Sequence, residues 1–571
     1  VLLFTVLILS LGSSAQDTLP YAENRTFEHA DIILRYARLE RDHPDRCKLI
    51  KGGLTDAEVP LHLFVIDPKG SFQAKKARDN DQNIVFINNG IHPGEPCGVD
   101  ASYKLAVELL KDDRGRSMPE NTIICIVPIY NVGGALNRNC CTRANQLGPE
   151  EYGFRGNAQN LDLNRDFVKC DSRNAFALID FLREWDPDVF VDTHTSNGAD
   201  YQHVMTLITS QPDKLGPPLD AFTRDVFEPF LYDHMEKAEY PMCPYMNTIG
   251  ATPEEGIMDY LETPRYSTGY TALYQTIGFV SEAHMLKPFK DRVLATYDFL
   301  NGILDFTELH GEKIRTLRKE ARLAFQSSEE WPLDWVADTT VCTPFPFHGF
   351  KAVYETSEVT GRKQLHYDRA QPYMKDINCY HHFVGTDSLP VPAYYVIPRG
   401  WKRVIDRLDL NRVEYTRIHA DTIIEVEVYY IDSLDTRETP YEGHYLHSNI
   451  HVRKRIEAIS FSAGDYLIPT DQQAGRFLVE LLEPHAPDSY FAWNFFDAIL
   501  QQKEWFSSYV FEKEAAEMLR TDPALKDEFD EKKEQDPEFA ESPFMQLYFL
   551  YTKSPHYEPA HLRYPVFRIS K

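Results

Sequence analysis

The 571-residue chain lacks an excess of positive charge, because 60 lysines and arginines stand against 87 aspartates and glutamates, a formal net charge of −27. Nothing in that balance neutralises a phosphate backbone or an anionic lipid surface, so a nucleic-acid partner is excluded and the charge reads as solubility. Cysteine is sparse. The nine cysteines include no C-x-x-C, and their odd number forbids complete intramolecular pairing. They read as buried residues with one or two optional disulfides in an oxidising compartment. Beyond the first residues no run is apolar enough to span a bilayer, and there is no internal repeat. H-E-x-x-H and G-x-S-x-G are both absent, which removes the sequence support for a helix-borne zinc-protease motif and for a serine nucleophile elbow.

The N-terminus reads VLLFTVLILSLGSSAQD, an apolar run from Val1 to Leu11 followed by Ser13, Ser14 and Ala15. It has the apolar core and small-residue cleavage site of a secretory signal, partial because Met and a basic flank are missing, and it falls short of the ~20 residues of a span. Residues 1–15 are therefore expected to be a signal peptide and the protein to be secreted or periplasmic, with no membrane span in the mature chain. The remaining length exceeds one ordinary core. From residue 16 to 325, β-rich runs (LHLFVID, NIVFINNG, TIICIVPIYN, DVFVDTHTSN, IGFVSEAH) alternate with amphipathic stretches, including one at Phe27 to Arg41 and PCGVDASYKLAVELLKD. Apolar strands separated by helices predict a mixed, mostly parallel α/β sheet with helices on both faces. QSSEEWPLDW reads as a linker, and 326–571 as a β-rich, sandwich-like accessory domain with a helical C-terminal portion containing FFDAILQQKEWF and EKEAAEMLR. The acidic run DEFDEKKEQDPEFAE reads as a solvated helix face.

The chemistry gathers at predicted strand ends, where ligands bind in such sheets. NNGIHPGEPCGVDA places His92 and Glu95 three residues apart across a Pro-Gly turn, with Pro93 biasing His92 toward an extended backbone and Gly94 permitting a tight turn. With twenty histidines, one H-x-x-E match is expected by chance, so the motif needs support. His194, at the end of VFVDTHTSN, supplies it. A His-Glu-His set leaves a fourth tetrahedral position for water, as in a catalytic zinc site. Glu282, ending a further strand in GFVSEAHML, is placed to serve as base. YGFRGNAQNLDLNRDF adds Arg155, Asp162, Asn164 and Arg165, donors suited to anionic oxygens, although such a loop can equally be a solvated turn. His444, His447 and His451 read as core or surface histidines in preference to a second metal site, and Cys97 as a packing residue.

HPGE, F-R-G-N…D-L-N-R, D-T-H and S-E-A-H, in that order, resemble the zinc metallocarboxypeptidases of the carboxypeptidase A type over about Phe27 to Phe325, above all large secreted bacterial members with a β-rich C-terminal extension. The resemblance implies one Zn2+ held by His92, Glu95 and His194, Glu282 as the catalytic carboxylate, and Asn164 with Arg165 gripping the substrate's terminal carboxylate. It further implies that Asp162 orients His92 and that Arg155 faces the oxyanion, with Arg138 and Arg143 as competitors. The family's mobile tyrosine falls among Tyr260, Tyr266 and Tyr270, and Tyr266 is favoured. Arg265 beside it is expected on an exposed loop or, less readily, in the specificity pocket. The expected substrate is a peptide or protein with a free C-terminus. A zinc-dependent deacylase or cell-wall peptide hydrolase on the same fold, and a non-catalytic peptide-binding protein, are the rival readings.

Overall fold

The computed structural model describes residues 19–111 and 116–571. The signal-like segment 1–15 lies outside them. Eight strands form the principal sheet: β1 (Cys47–Leu54), β2 (Pro60–Ile66), β3 (Asn83–Asn89), β4 (Thr122–Val127), β5 (Val189–Ser196), β6 (Met205–Thr209), β7 (Met242–Pro244) and β8 (Ile277–His284). Their order is β1-β2-β4-β3-β5-β8-β6-β7. The inner strands β4, β3, β5 and β8 are parallel, while β1, β2 and β6 pair antiparallel on the flanks.

The inner strands β3, β4 and β5 are buried along their whole length, which is why NIVFINN and TIICIV read as unbroken apolar runs and not as alternating ones. Alternation reappears in what each side chain touches. Ile84 and Phe86 of β3 share a core with Leu178 and Leu182 of helix α3 (Arg173–Trp185). Val85 and Ile87 point to the other face and join Leu105 of α2 (Cys97–Leu110) and Ile303 of α4 (Phe289–Gln326). The helix α1 (His29–Asp42) packs through Ile32 and Tyr36 on the α2 side. One close approach fixes α2: a Cβ at Gly98 would stand 1.9 Å from Thr193 Oγ1 and 2.6 Å from Asn89 Oδ1. Only glycine lets the start of α2, and with it Glu95, sit that near β3 and β5.

Beyond residue 326 the chain is β-rich with added helix, as expected, but two readings need correction. QSSEEWPLDW is not a linker. The α4 helix ends at Gln326, and β9 (Glu330–Ala337) then pairs along its length with β12 (Phe383–Pro390). Leu333 is buried, and the Trp331 and Phe325 rings meet at 4.9 Å. Nor is there one sandwich. A second sheet joins β10 (Thr343–Thr356) and β11 (Lys363–Tyr380) to Ile257–Met258 of the first half, and a third has six strands around the long hairpin β13 (Thr422–Thr436) and β14 (His447–Phe461). One apolar cluster holds Phe190, Tyr270 and Tyr274 together with Phe477, Tyr490 and Trp493, so the core is continuous across residue 326. Of FFDAILQQKEWF, only Asp497–Leu500 is helical, as a 3₁₀ turn; the acidic run forms the exposed helices Pro523–Gln535 and Pro537–Glu541.

Limited digestion with subtilisin, which cuts without regard to sequence, should therefore nick the β10–β11 hairpin tip first. Val359 there is 93 % exposed and a Cβ on Gly361 would touch nothing. Mass spectrometry of the first fragments decides: initial cleavage within 326–337 would restore the linker.

Candidate active site

Parallel strands β3, β5 and β8 end at one edge of the sheet, and their registers align the chemistry. Asn88 pairs with Asp192, and His194 with Glu282, so neighbouring side chains rise on one face about 4.8 Å apart. After β3, the Glu95 amide donates to the His92 carbonyl at 2.8 Å, closing a turn that brings both side chains together. Gly94 is needed for a reason other than the one its sequence suggests. It has no left-handed φ; a Cβ there would lie 2.7 Å from the Arg143 side chain.

His92, Glu95 and His194 are buried and offer donor atoms that all lie within 4.8 Å of one another. His92 Nδ1 stands 3.3 Å from Glu95 Oε1, and His194 Nδ1 stands 3.1 Å from Glu95 Oε2. Imidazole nitrogens and a carboxylate gathered this closely are the donor types that zinc takes. The far side of each ring faces a carboxylate: His92 Nε2 is hydrogen-bonded to Asp162 Oδ1 at 2.9 Å, and His194 Nε2 stands 3.1 Å from Asp192 Oδ2 in a charge contact without hydrogen-bond geometry. Each imidazole is thereby turned with Nδ1 inward, the arrangement that orients metal-binding histidines. Burial disfavours charge on these groups, but pairing wins. Arg143 and His92 hold Glu95 well below the usual carboxylate range, His92 and Arg155 do the same for Asp162, and Asp192 and Glu95 raise His194. The donor set fits zinc.

A cavity of about 430 Å³ opens beside the triad, lined among others by Arg143, Arg155, Asn164, Arg165, Tyr245, Tyr260, Glu262, Tyr266 and Glu282. Glu282 lies in it with no ion pair among the described residues; burial pushes its carboxyl up to about 8, and His194 only partly opposes. The arginine candidates separate. Arg138 binds the carbonyls of Phe27 and Glu151 outside the cavity, and Arg143 holds Glu95 Oε1 at 2.8 Å. Arg155 pairs with Asp162 at 2.8 Å and remains 45 % exposed, with Nη1 3.4 Å from His92 Nδ1. Among the described residues Arg165 donates only to neutral oxygens, from Nε to Tyr441 at 3.0 Å and from Nη1 to the Asn164 carbonyl at 2.8 Å.

Both Tyr260 and Tyr266 reach the cavity, where the Tyr260 hydroxyl donates to that of Tyr266 at 2.9 Å and the Tyr266 ring underlies the Arg165 guanidinium at 4.3 Å. Tyr270 does not; it is buried and donates to Asn411. Arg265 contradicts both expectations for it. It is neither exposed nor in the cavity, but pairs with Asp488 at 2.7 Å over the Trp493 ring. His444 and His447 pair separately with Asp171 and Asp497, and no second metal cluster exists among the described residues. Of the cysteines, Cys140 and Cys141 are bonded to each other and Cys97 is buried. Asp192, Tyr245 and Glu262 escaped sequence reasoning. Only Asp192 carried a signal, since it stands two residues before His194 on a strand and so shares its face.

With the geometry in hand, the comparisons become informative. The sequence model of the zinc carboxypeptidase family matches residues 34–213. The chain is similar to the zinc carboxypeptidases. The matched stretch contains His92, Glu95, Asp162, Asn164, Arg165 and His194 and ends before Glu282. "Carboxypeptidase 2" of Trichophyton equinum is 21 % identical over 424 residues, covering 71 % of this chain and 72 % of that protein, and the Trichophyton rubrum protein of the same name is 21 % identical over 425. Among solved structures, a metallo-carboxypeptidase from Burkholderia cenocepacia aligns at 14 % identity over 50 % of this chain and 70 % of its own, with a TM-score of 0.37. Carboxypeptidase A from Helicoverpa armigera aligns at 12 % over 52 % and 75 %, with a TM-score of 0.36. Among the described residues no helix is long and apolar enough to cross a membrane.

Asp192→Asn should weaken zinc affinity roughly 10- to 100-fold while leaving the fold intact, because the imidazole loses its anchor and not its donor atom. Zinc titration against a chromophoric chelator measures this, and an unchanged affinity would remove Asp192 from the site.

Proposed function

We propose that the chain is an exported zinc metallocarboxypeptidase, a hydrolase that releases C-terminal residues from peptides and proteins. The observation that carries this reading is Arg165. In a cavity where Arg143 and Arg155 are each paired with a carboxylate, Arg165 has only neutral hydrogen-bond acceptors among the described residues and feels Asp162 without bonding to it, which leaves it able to bind an acidic ligand. A carboxylate is the anion that its planar fork fits best. The export reading rests on the segment 1–15, and the division at 16–325 and 326–571 on the change from an α/β to a β-rich pattern.

His92, Glu95 and His194 would hold one zinc. When bound, zinc supplies Lewis acidity that polarises a carbonyl and acidifies a water, and its charge draws Glu282 back to the carboxylate form. Asn164 and Arg165 anchor the substrate's terminal carboxylate, with Tyr266, and Tyr260 behind it, closing over that end. This fixes the scissile bond beside Glu282. Glu282 takes a proton from the attacking water and returns it to the leaving amine, while Arg155 stabilises the charge that appears as the carbonyl becomes tetrahedral. Asp162 keeps His92 oriented and holds Arg155 by the same carboxylate.

These roles separate by experiment. Glu282→Gln should keep zinc and nearly abolish turnover, whereas His194→Ala should lose the metal; equal metal loss in both would sink the assignment. Arg165→Ala should chiefly raise KM, because the carboxylate it grips has the same charge in ground and transition states. Arg155→Ala should instead lower kcat by roughly 10²–10³-fold with little change in KM. Amidating the peptide C-terminus should cripple the wild type and cost Arg165→Ala much less. A wild type indifferent to amidation would point to a deacylase or an endopeptidase.

A further inference from the structure

Arg165 and the Tyr266 ring beneath it are held in place by residues far along the chain. Between β13 and β14 the hairpin narrows to a turn in which the Tyr441 amide donates to the His444 carbonyl at 2.7 Å and the His444 amide returns a bond to Tyr441 at 3.0 Å. The two residues between them, Glu442 and Gly443, have φ of 49° and 80°. Positive φ at both central positions of a two-residue loop is the turn that follows the twist of its flanking strands, so the tip is rigid. His444 pins one side of it to Asp171 at 2.6 Å.

From this tip two contacts enter the site. Glu442 Oε2 accepts the Asp162 backbone amide at 2.8 Å, fixing the segment whose carboxylate orients His92. The Tyr441 hydroxyl accepts from Arg165 Nε at 3.0 Å. The Tyr441 ring stacks on Trp493 at 6.1 Å with 22° between planes and is flanked by Arg437 at 5.0 Å. Trp493 in turn donates to Asp488, the partner of Arg265, which immediately precedes Tyr266. With Nε engaged by Tyr441 and Nη1 by the Asn164 carbonyl, the guanidinium cannot rotate, and its Nη2 edge has no hydrogen bond among the described residues.

We propose that Tyr441 is a positioning residue for substrate: the C-terminal half completes the carboxylate clamp by orienting Arg165, and so is part of the exopeptidase site. The inference rests on the carboxypeptidase reading. A phenol suits the task because it is a neutral acceptor. It fixes the guanidinium without cancelling the charge that binds the substrate.

Tyr441→Phe removes the hydroxyl and keeps the ring against Trp493. For the zinc-loaded enzyme we expect KM for a free-acid peptide to rise roughly 3- to 10-fold, the size of one ordinary net hydrogen bond because the lost bond orients Arg165 and does not touch the substrate, with kcat and zinc content unchanged. The ratio of kcat/KM for the free-acid peptide to that for its amide should fall by the same factor. Because both substrates are assayed on one preparation, any misfolded fraction cancels. In an Arg165→Ala background the same substitution should leave that ratio unaltered. A wild-type preference for the free acid that survives Tyr441→Phe intact overturns this inference alone. A wild type without that preference overturns the carboxypeptidase reading and the inference with it.

Discussion

One buried carboxylate governs the architecture of the site. Glu95 is almost wholly removed from water, and an ionised group there is tolerated only among partners that repay its lost hydration. Among them are the inward nitrogens of His92 and His194, the guanidinium groups of Arg143 and Arg155, and the backbone amide of Thr195. Those histidines in turn face Asp162 and Asp192, so a chain of polar contacts runs from Asp192 through His194, Glu95 and His92 to Asp162. Two of its links, Asp192 to His194 and His92 to Glu95, are local, while His194 to Glu95 and His92 to Asp162 join segments far apart in sequence. The chain closes only because β3 and β5 are adjacent, parallel and in register, with α2 pressed against them at Gly98. The sheet order is thus a requirement of the electrostatics.

The substrate side obeys a different logic. Arg155 and Arg165 belong to one loop, but a loop of polar residues does not hold two guanidinium groups apart unaided. Asp162 holds Arg155 beside His92, while the hairpin tip of the far half holds Arg165 through Tyr441. Arg265 and Asp488 fasten the neighbouring tyrosine segment to the same far half. The apolar core running across residue 326 makes those long-range bonds reproducible, since the two halves cannot shift without opening it.

Much of this was legible in the sequence, and the boundary of what was legible is physical. His92, Glu95, His194 and Glu282 stood out because polar residues ended runs that otherwise read as buried strands, and strand ends are where an α/β sheet collects ligands. Asp162, Asn164 and Arg165 stood out by their density. The misses share a cause. Arg265 looked like a loop residue because its partner lies 223 positions away, and Tyr441 is 276 positions from Arg165. QSSEEWPLDW looked like a linker because its composition is polar, yet an edge strand needs only alternate residues inward, and Trp331 and Leu333 suffice. Periodicity and turn chemistry report on the chain within a few residues. They are silent about which distant segment will arrive.

That silence matters most at Arg165. The Arg165 guanidinium is partly buried and feels the Asp162 charge without bonding to it, and the simplest remedy for its lost hydration would be a carboxylate directly beside it. A carboxylate there would also compete with any acidic ligand, because it would occupy the same donors with the same charge. The arrangement in this chain supplies a phenol oxygen and a backbone carbonyl instead. Both orient the group and lessen its desolvation without neutralising it, and the face of the Tyr266 ring adds a further neutral contact. On the proposed reading, the remaining imbalance is what a ligand's carboxylate would relieve. In a protein whose net charge is −27, such a site gains nothing from long-range attraction of an anionic peptide end, so selectivity must come from this local, fixed excess of positive charge.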